Sequence, residues 1–339
     1  MIMKLLNRIK KLFVILIKRP KGYTHFIVNT VCYYLGIARL PGMPLYFSIE
    51  PTNACDMACE VCETGSGILK RPKTMMSLQD FKTVLAKTKR FAHTYSLYFM
   101  GEPFLNKQLY EMIALAEYEN IEVNVCTNGH YIDAEKIIAS GLHEINFQFG
   151  GLDEQTHSQY RKHGQFNREL ESLRNLRKAR DAAHKKLPKI IFGFIVMKHN
   201  EHQLETLHEF ARNAGADEVN IITPCFRTVE QARHLLPLSE SYIYYDRTAL
   251  DNNQLKPKLH GKRRCPWIFY SVVITANGDV VPCCRDAQGE YVFGNILTED
   301  LRSIWNNKKF IDFRRQILIN PSSPALCRLC GGYGFPDFR

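Results

Sequence analysis

Short apolar runs alternate with longer amphipathic runs through the middle of the chain. The short runs predict β-strands at 45–50, 96–99, 122–126, 144–149, 190–196 and 218–222. The runs between them repeat with a helical period and predict helices at 77–90, 108–119, 134–139, 168–184 and 201–213. Elements in this order form a parallel sheet with right-handed crossovers. Six such units fall short of the eight units of a full barrel, so the pattern predicts an α/β fold.

The pattern changes after the sixth predicted strand. Residues 223–264 break the alternation and predict a connector with one helix near 239–250. Beyond it, predicted strands at 270–275 and 279–282 flank Asn277-Gly278, a dipeptide typical of a hairpin turn. We therefore expect an N-terminal segment at 1–43, a barrel at 44–224, the connector at 225–264 and a small C-terminal module at 265–339.

The N-terminal segment is basic and amphipathic. Residues 1–21 contain seven Lys and Arg residues and no acidic residue, and the apolar side chains share one face of a helical wheel. This pattern predicts a helix that lies on an anionic membrane surface, peripheral on the inner face of the membrane. The competing interpretation is a helix that packs on the protein's own barrel. The apolar run 12–17 is too short to span a bilayer, which takes about 20 residues.

Composition indicates a globular protein in a reducing compartment. The hydrophobic fraction is 45% and the charged fraction 23%, both ordinary values. Eleven cysteines without a secretory signal favour metal ligation in the cytoplasm over a disulfide framework. The net charge of +11 is compatible with nucleic acid, an anionic membrane or an anionic substrate. Because no RNA-binding module accompanies it, we expect no nucleic-acid partner.

Three cysteines, Cys55, Cys59 and Cys62, follow the first predicted strand within one short loop. A [4Fe–4S] cluster held by three thiolates keeps its fourth iron open to a small chelating ligand. A zinc knuckle is the alternative, but zinc sites usually combine such a pair with further cysteines or histidines nearby. The next residue of either kind is His93.

The CxxxCxxC spacing after a first strand resembles the radical S-adenosylmethionine (SAM) superfamily. This resemblance implies a partial (β/α)6 TIM-like barrel in which the open iron chelates the amino acid part of SAM. It also implies that the reduced cluster cleaves SAM to methionine and a 5′-deoxyadenosyl radical, which abstracts hydrogen from a substrate.

Further motifs strengthen the resemblance and assign SAM contacts. Gly101-Glu102-Pro103 is similar to the GGEP motif that holds the SAM ammonium group, with Met100 in place of the first glycine. Relatives carry Ser-x-Asp-Gly after the fourth strand, where this chain has Gln148 and Gly150 in place of Ser and Asp. The residues expected to bind SAM are Gly101, Glu102, Pro103, Thr127, Asn128, Gln148, Arg161 and Val196.

The C-terminal cysteines form a second group. Cys265-x12-Gly278-x4-Cys283 resembles the CX9–15GX4C motif of the SPASM and Twitch families, and Cys327-x2-Cys330 completes a set of four. Four thiolates ligate every iron of one [4Fe–4S] cluster, which suits electron transfer. We therefore expect one auxiliary cluster at Cys265, Cys283, Cys327 and Cys330, with structural zinc as the alternative. The cysteines left over, expected to be packed thiols, are Cys32, Cys126, Cys225 and Cys284.

The resemblance leaves the substrate open. The nearest pattern is that of Twitch-type dehydrogenases, which predicts a two-electron oxidation of a hydroxyl on a sugar-like small molecule or a membrane-linked glycan or lipid precursor. A flavodoxin or ferredoxin would donate electrons, and no catalytic base can be named. The first alternative is modification of a peptide or protein, such as a crosslink or an epimerisation. The second is a non-catalytic Fe–S or zinc scaffold.

Overall fold

The computed structural model describes residues 20–258 and 265–330. The amphipathic helix predicted at residues 1–21 therefore lies almost entirely outside the described residues. Within those two ranges, no helix has both the length and the hydropathy that crossing a bilayer requires.

The described residues form one sheet of nine strands, in the order β6-β5-β4-β3-β2-β1-β7-β8-β9. Every pair from β6 to β7 is parallel, and β8 and β9 are antiparallel to their neighbours. The strands are β1 Tyr46–Ile49, β2 Thr94–Ser96, β3 Glu122–Thr127, β4 Glu144–Phe149, β5 Lys189–Ile195, β6 Glu218–Ile222, β7 Ser271–Ile274, β8 Asp279–Val281 and β9 Gly294–Asn295.

Helices cross over between the parallel strands and cover the outer face of the sheet. Those in the described residues are α1 Pro20–Leu35, α2 Leu78–Thr88, α3 Leu109–Tyr118, α4 Ala134–Ser140, α5 Glu154–Tyr160, α6 Phe166–Ala182, α7 Leu204–Ala214, α8 Val229–Leu235, α9 Arg247–Asp251, α10 Leu301–Trp305 and α11 Lys308–Ile319. The predicted α/β class is thus confirmed, as a partial (β/α)6 barrel with a small C-terminal module.

Local sequence explains where several helices begin and end. The side chains of Ser77, Asp133 and Asp153 accept hydrogen bonds from backbone N–H groups in the first turns of α2, α4 and α5. Gly141 and Gly215 end α4 and α7 in the left-handed conformation, which glycine adopts without steric cost.

The C-terminal module continues the barrel sheet. Its strand β7 lies beside β1 in parallel register, with Phe47 opposite Val272. The β7–β8 connection turns at Gly278, whose φ is +87°, as the Asn-Gly signal predicts. Residues of the barrel and of the module therefore share one backbone hydrogen-bond ladder.

The second strand starts two residues before its predicted position. Tyr95 of β2 lies opposite Phe47 of β1 and Val123 of β3. Leu97, which the pattern placed inside the strand, is buried in the following turn, where its N–H still donates to the carbonyl of Asn124. The apolar residues after β2 thus mark a buried turn that leads into the site.

The predicted connector helix at 239–250 is wrong. The structure has a short turn at Glu240–Tyr242 and the short helix α9 instead. Tyr245 lies between them, where it forms a β-bridge with Pro257 and its hydroxyl donates a hydrogen bond to the carbonyl of Phe226. The pattern also missed α5, α8, α10 and α11. Their capping residues were the available signal, namely Asp153, Thr228, Asp300 and Asn307.

The interior of the barrel is polar. Along β4, Ile145, Phe147 and Phe149 are buried against the helices, whereas Asn146 and Gln148 alternate with them and face the lumen. The lumen holds a cavity of about 570 Å³. Polar residues that line it include Ser48, Ser96, Tyr98, Asn124, Asn146 and Asn220.

Candidate functional site

The first cysteine group lies in the loop that follows β1. All three thiols are free of disulfides, and Cys59 is buried. Burial, together with the neighbouring charges of Glu102 and Cys59, raises the pKa of the Cys55 thiol to about 12. These thiols are close enough to influence one another, and a bound cation would reverse the shift. Among the described residues, no three His, Cys, Asp or Glu side chains are arranged to hold a single metal ion.

The Gly-Glu-Pro turn after β2 rests directly on the start of this loop. Gly101 has a φ of +77°, and a Cβ built on it would lie 2.5 Å from the carbonyl oxygen of Ala54. The N–H of Glu102 donates to the same oxygen at 2.8 Å. Only glycine fits this close approach, so the motif joins the second strand end to the cysteine loop.

The carboxylate of Glu102 joins this turn to the third strand end. It accepts hydrogen bonds from the Thr127 hydroxyl at 2.7 Å, the Asn128 N–H at 2.7 Å and the Phe104 N–H at 3.1 Å. Burial raises the pKa of Glu102 to about 7, although these hydrogen bonds oppose the shift. The structure therefore brings together five predicted residues, namely Gly101, Glu102 and Pro103 of the Gly-Glu-Pro turn and Thr127 and Asn128 at the end of β3.

A buried network of charged side chains contacts the cysteine loop through Asp56. The sequence did not predict this network. Asp56 accepts hydrogen bonds from His130 and from the Asn128 side chain. The other ring nitrogen of His130 lies 3.0 Å from Glu169, and His157 lies 3.3 Å from the second oxygen of Glu169. The network thus runs Asp56–His130–Glu169–His157 and links the loop to α5 and α6.

The charges of this network stabilise one another. Burial alone would raise the pKa of Glu169, but the adjacent imidazoles of His130 and His157 hold it at about 2. Burial would likewise lower the pKa of His130, yet Asp56 and Glu169 raise it to about 9. A buried Glu at a core position of α6 was the sequence signal for this network.

Arg161 lies at the end of α5, against the cysteine loop. Its Nε is buried and has no hydrogen-bond partner among the described residues. Burial would lower the pKa of Arg161, but the neighbouring Cys59 and Glu169 raise it. A Cβ on Gly150 would lie 2.8 Å from Cγ of Arg161, so the glycine that replaces the family's Asp makes room for this arginine.

The two remaining predicted SAM contacts differ in their surroundings. Gln148 faces the lumen, where it donates to Asn146 at 2.8 Å and contacts the Cys126 thiol. The structure does not bring the Val196 side chain to the site, because Val196 is fully buried in the apolar core. Cys126, expected to be a packed thiol, instead points into the lumen beside Gln148, and burial raises its pKa to about 12.

The second cysteine group gathers in the C-terminal module. Burial raises the pKa of Cys283 well above its usual value, and Cys265 and Cys327 raise it further. Burial raises the pKa of Cys327 to about 12, with Cys265 and Cys330 adding to the effect. The four predicted thiols therefore lie within electrostatic reach of one another.

Cys225 also lies beside this group, which sequence reasoning missed. Its thiol accepts a hydrogen bond from Nη2 of Arg285 at 2.9 Å. Burial raises the pKa of this thiol, and the neighbouring Cys330 and Cys284 add to the rise. The loop after β6 therefore reaches the module that carries the second cysteine group.

One ion pair fastens the C-terminal module to the cysteine loop. Arg71 donates two hydrogen bonds to Glu50 at 2.7 and 2.8 Å, and its Nε donates to the carbonyl of Ala287 at 2.6 Å. The same carboxylate accepts from the N–H of Ala276 at 2.9 Å. A buried bidentate pair thus fixes the two cysteine-bearing regions relative to each other.

The chemistry of these residues fits an iron–sulfur cluster and SAM. Three thiols in a short loop match a cluster with one open iron, and four thiols in the module match a fully ligated cluster. The buried Nε of Arg161, which has no partner among the described residues, can donate to an anionic group, and the carboxylate of SAM is one.

Comparison with known proteins agrees with this geometry. Residues 49–211 match the radical SAM superfamily, and residues 265–331 match SPASM, an iron–sulfur cluster-binding domain. The mycofactocin maturase MftC of Mycobacterium ulcerans is 25% identical over 310 residues, which cover 86% of this chain and 81% of the maturase.

Solved structures share the fold at lower identity. Streptococcus suis SuiB bound to precursor peptide SuiA superposes with a TM-score of 0.63 at 16% identity, covering 85% of this chain and 70% of SuiB. BtrN in complex with AdoMet and 2-DOIA superposes with a TM-score of 0.52 at 18% identity, covering 84% of this chain and 92% of BtrN. The cofactors of the protein are accordingly SAM and two [4Fe–4S] clusters. The chain belongs to the radical SAM superfamily and carries a SPASM-type auxiliary domain at its C-terminal end.

Proposed function

We propose that this radical SAM enzyme modifies a peptide or protein substrate. The observation that carries the proposal is the similarity to a protein named a maturase along 86% of this chain and 81% of the relative. SuiB, which has the same fold, was solved with a precursor peptide bound. These comparisons favour the peptide alternative over the oxidation of a sugar-like hydroxyl that the sequence pattern suggested first.

In this proposal the two cysteine groups hold the two clusters. Cys55, Cys59 and Cys62 ligate the cluster that binds SAM, and Cys265, Cys283, Cys327 and Cys330 ligate the auxiliary cluster. When bound, the reduced cluster and SAM supply a radical that removes a hydrogen atom from a carbon of the substrate. A reduced flavodoxin or ferredoxin provides the electron.

The protein's own residues orient SAM and exclude water from it. Arg161 pairs with the SAM carboxylate through its unpartnered Nε. Glu102 uses three hydrogen bonds to fix the turns around the ammonium group and keeps one lone-pair direction for that group. The hydrogen bonds of Glu102 hold it in place before SAM arrives, which reduces the entropy lost on binding.

The polar lumen receives the substrate. Hydroxyl and amide side chains such as Ser48, Asn124 and Asn146 line it and pair well with the backbone amides of a peptide. Burial raises the pKa of Tyr98, so its phenol stays protonated and available as a hydrogen-bond donor. A cavity of about 570 Å³ admits a few residues of a peptide, not a folded domain.

The same lumen supports a second candidate, which is the oxidation of a hydroxyl on a sugar-like or membrane-linked glycan or lipid precursor. Its polar lining suits a hydroxylated ring as well as a peptide. In that case the enzyme is an oxidoreductase, and the auxiliary cluster accepts the second electron.

A substrate assay distinguishes peptide modification from the oxidation of a sugar-like hydroxyl. The reconstituted full-length enzyme is incubated anaerobically with SAM and a reductant, together with either synthetic peptides encoded beside its gene or a panel of cyclitols and nucleotide sugars. We expect a peptide to accelerate the release of 5′-deoxyadenosine and to change in mass. Mass change of a cyclitol or sugar, with every peptide unchanged, would overturn the peptide proposal. A Cys55→Ala/Cys59→Ala/Cys62→Ala variant is the control for radical chemistry.

We place this chemistry in the cytoplasm, at the inner face of the membrane. The first acidic residue of the chain is Glu50, whereas basic residues recur throughout the preceding segment. Such a segment is attracted to anionic lipid headgroups.

A further inference from the structure

Helix α1 is held firmly on the barrel by its inner face. Asn29 is fully buried and donates to the carbonyl of Met43 at 3.0 Å, and Thr30 shares a hydrogen bond of 2.7 Å with the Tyr270 hydroxyl. Cys32 and Tyr33 are buried in the core, where the ring of Tyr33 packs edge-on against Phe269. The orientation of α1 relative to the sheet is therefore fixed.

The outer face of the same helix is apolar and exposed. Ile27, Val31, Tyr34 and Leu35 are 43%, 50%, 65% and 68% exposed, and their spacing places them on one stripe of the helix. Ile37, just beyond the helix, extends the stripe and is 43% exposed. Contiguous apolar exposure of this kind marks an interaction surface, whereas single exposed apolar residues do not.

The charge of the sequence that flanks this stripe selects the partner. Before Glu50 the chain has no acidic residue, and it has eight basic residues: Lys4, Arg8, Lys10, Lys11, Lys18, Arg19, Lys21 and Arg39. An apolar stripe within a purely basic region matches an anionic bilayer surface, which takes apolar side chains below its headgroups and attracts cations at its edge.

The stripe lies at the end of the barrel opposite the first cysteine group. Helix α1 packs on Met43, Phe91 and Tyr270, which lie one to three residues before the starts of β1, β2 and β7. The cysteine loop follows the other end of β1. Most of the residues that line the cavity in the lumen belong to the first halves of their strands, such as Tyr46 of β1, Glu122 of β3 and Lys189 of β5, so the cavity lies toward the same end as α1.

We propose that the outer face of α1, formed by Ile27, Val31, Tyr34 and Leu35, docks on an anionic lipid bilayer. Docking turns this end of the barrel toward the membrane and the cysteine loop away from it. This inference uses the location given under the proposed function and is independent of the substrate class.

The test compares two variants of the full chain in sedimentation with vesicles. In the first, Ile27→Ser, Val31→Ser, Tyr34→Ser and Leu35→Ser remove the stripe. In the second, Tyr118→Ser, Leu238→Ser and Ile319→Ser remove exposed apolar side chains elsewhere, and these are 81%, 64% and 86% exposed. The vesicles are phosphatidylcholine alone or phosphatidylcholine with phosphatidylglycerol, each at low and high salt.

We expect the wild type and the second variant to bind the anionic vesicles in a salt-sensitive manner. The stripe variant should bind at least tenfold more weakly, while its far-UV circular dichroism and iron content stay unchanged. Undiminished binding by the stripe variant would assign docking to residues 1–21 alone and overturn the role of α1. A wild type that ignores anionic vesicles would overturn both the inference and the proposed location, but not the peptide proposal.

The oligomeric state of the same variants, measured by light scattering, tests whether the outer face of α1 binds a second copy of the chain instead of lipid. We expect the wild type and the stripe variant to have the same mass in solution. A wild-type dimer that the stripe substitutions convert to a monomer would assign the surface to a second copy of the chain and overturn the lipid proposal.

Discussion

The two cysteine-bearing regions contain buried charge, but they stabilise it in different ways. Under the first cysteine loop, Glu169 is fully buried between His130 and His157, so opposite charges compensate one another. In the C-terminal module, the fully buried Arg314 donates to the carbonyls of Ile268, Ala38 and Trp305 and stacks on aromatic rings.

The two regions therefore stabilise a buried charge by different contacts, titratable side chains in one and carbonyl groups with aromatic rings in the other. A network of titratable groups depends on pH and fails when one member is removed. Carbonyl oxygens and ring faces do not titrate, and the stacked rings of Phe293 and Phe310, 4.1 Å apart, add apolar packing. We therefore expect the SAM region to be the more sensitive of the two to pH and to single polar substitutions.

The largest expected effect is on iron content. Two [4Fe–4S] clusters contain about eight irons per chain, and Cys55→Ala/Cys59→Ala/Cys62→Ala should leave about four and abolish SAM cleavage. Iron and sulfide assays after anaerobic reconstitution measure this. A Cys32→Ala control, in the core far from both groups, should retain about eight irons. Four irons in the intact protein, or zinc in its C-terminal module, would contradict the two-cluster assignment.

The second effect is on stability. Glu169→Gln leaves two buried histidines without their shared carboxylate, which should lower the free energy of unfolding by about 3 kcal/mol. Urea denaturation measures this, with Glu171→Gln, on the exposed side of the same helix, as the matched control. The control should stay within about 0.5 kcal/mol of the wild type. Equal effects of the two substitutions would show that the network does not support the loop.

The third effect is on SAM affinity. In Glu102→Gln one carboxylate oxygen becomes an NH2 group, which cannot accept the hydrogen bond it replaces. Loss of one hydrogen bond to a charged group, about 1.5 kcal/mol, weakens SAM binding about tenfold. Isothermal titration calorimetry with SAM should show this at unchanged iron content. Normal SAM affinity in the variant would show that a residue other than Glu102 contacts the ammonium group.

Sequence reasoning predicted those parts of the site that follow one another along the chain. The cysteine loop, the Gly-Glu-Pro turn and the turn after β3 each lie within a few residues, and parallel strands bring such turns to one edge of the sheet. It could not predict the Asp56–His130–Glu169–His157 network, because its members come from four separate segments. It also placed β2 two residues late, because the buried turn at 97–99 is as apolar as a strand.

The last expected effect is the pH dependence of stability. The pKa of His130 rises from 6.5 to about 9 on folding, so its contribution is complete below pH 6.5 and is lost as pH rises through 9. The pKa of Glu169 falls from 4.5 to about 2, so its contribution is lost as pH falls through that interval. Urea denaturation at pH 6.5 and 9.5 should show a decrease in the wild type. The decrease should be smaller in His130→Gln, and an equal decrease in both would exclude His130 as its source.

The central claim is that the cluster at Cys55, Cys59 and Cys62 keeps one iron open for SAM. Electron paramagnetic resonance of the reduced Cys327→Ala/Cys330→Ala variant, recorded with and without SAM, tests it most directly, because this variant should retain only that cluster. We predict a signal whose shape changes when SAM is added. A signal that SAM leaves unchanged, in a variant that still contains about four irons, would contradict the account.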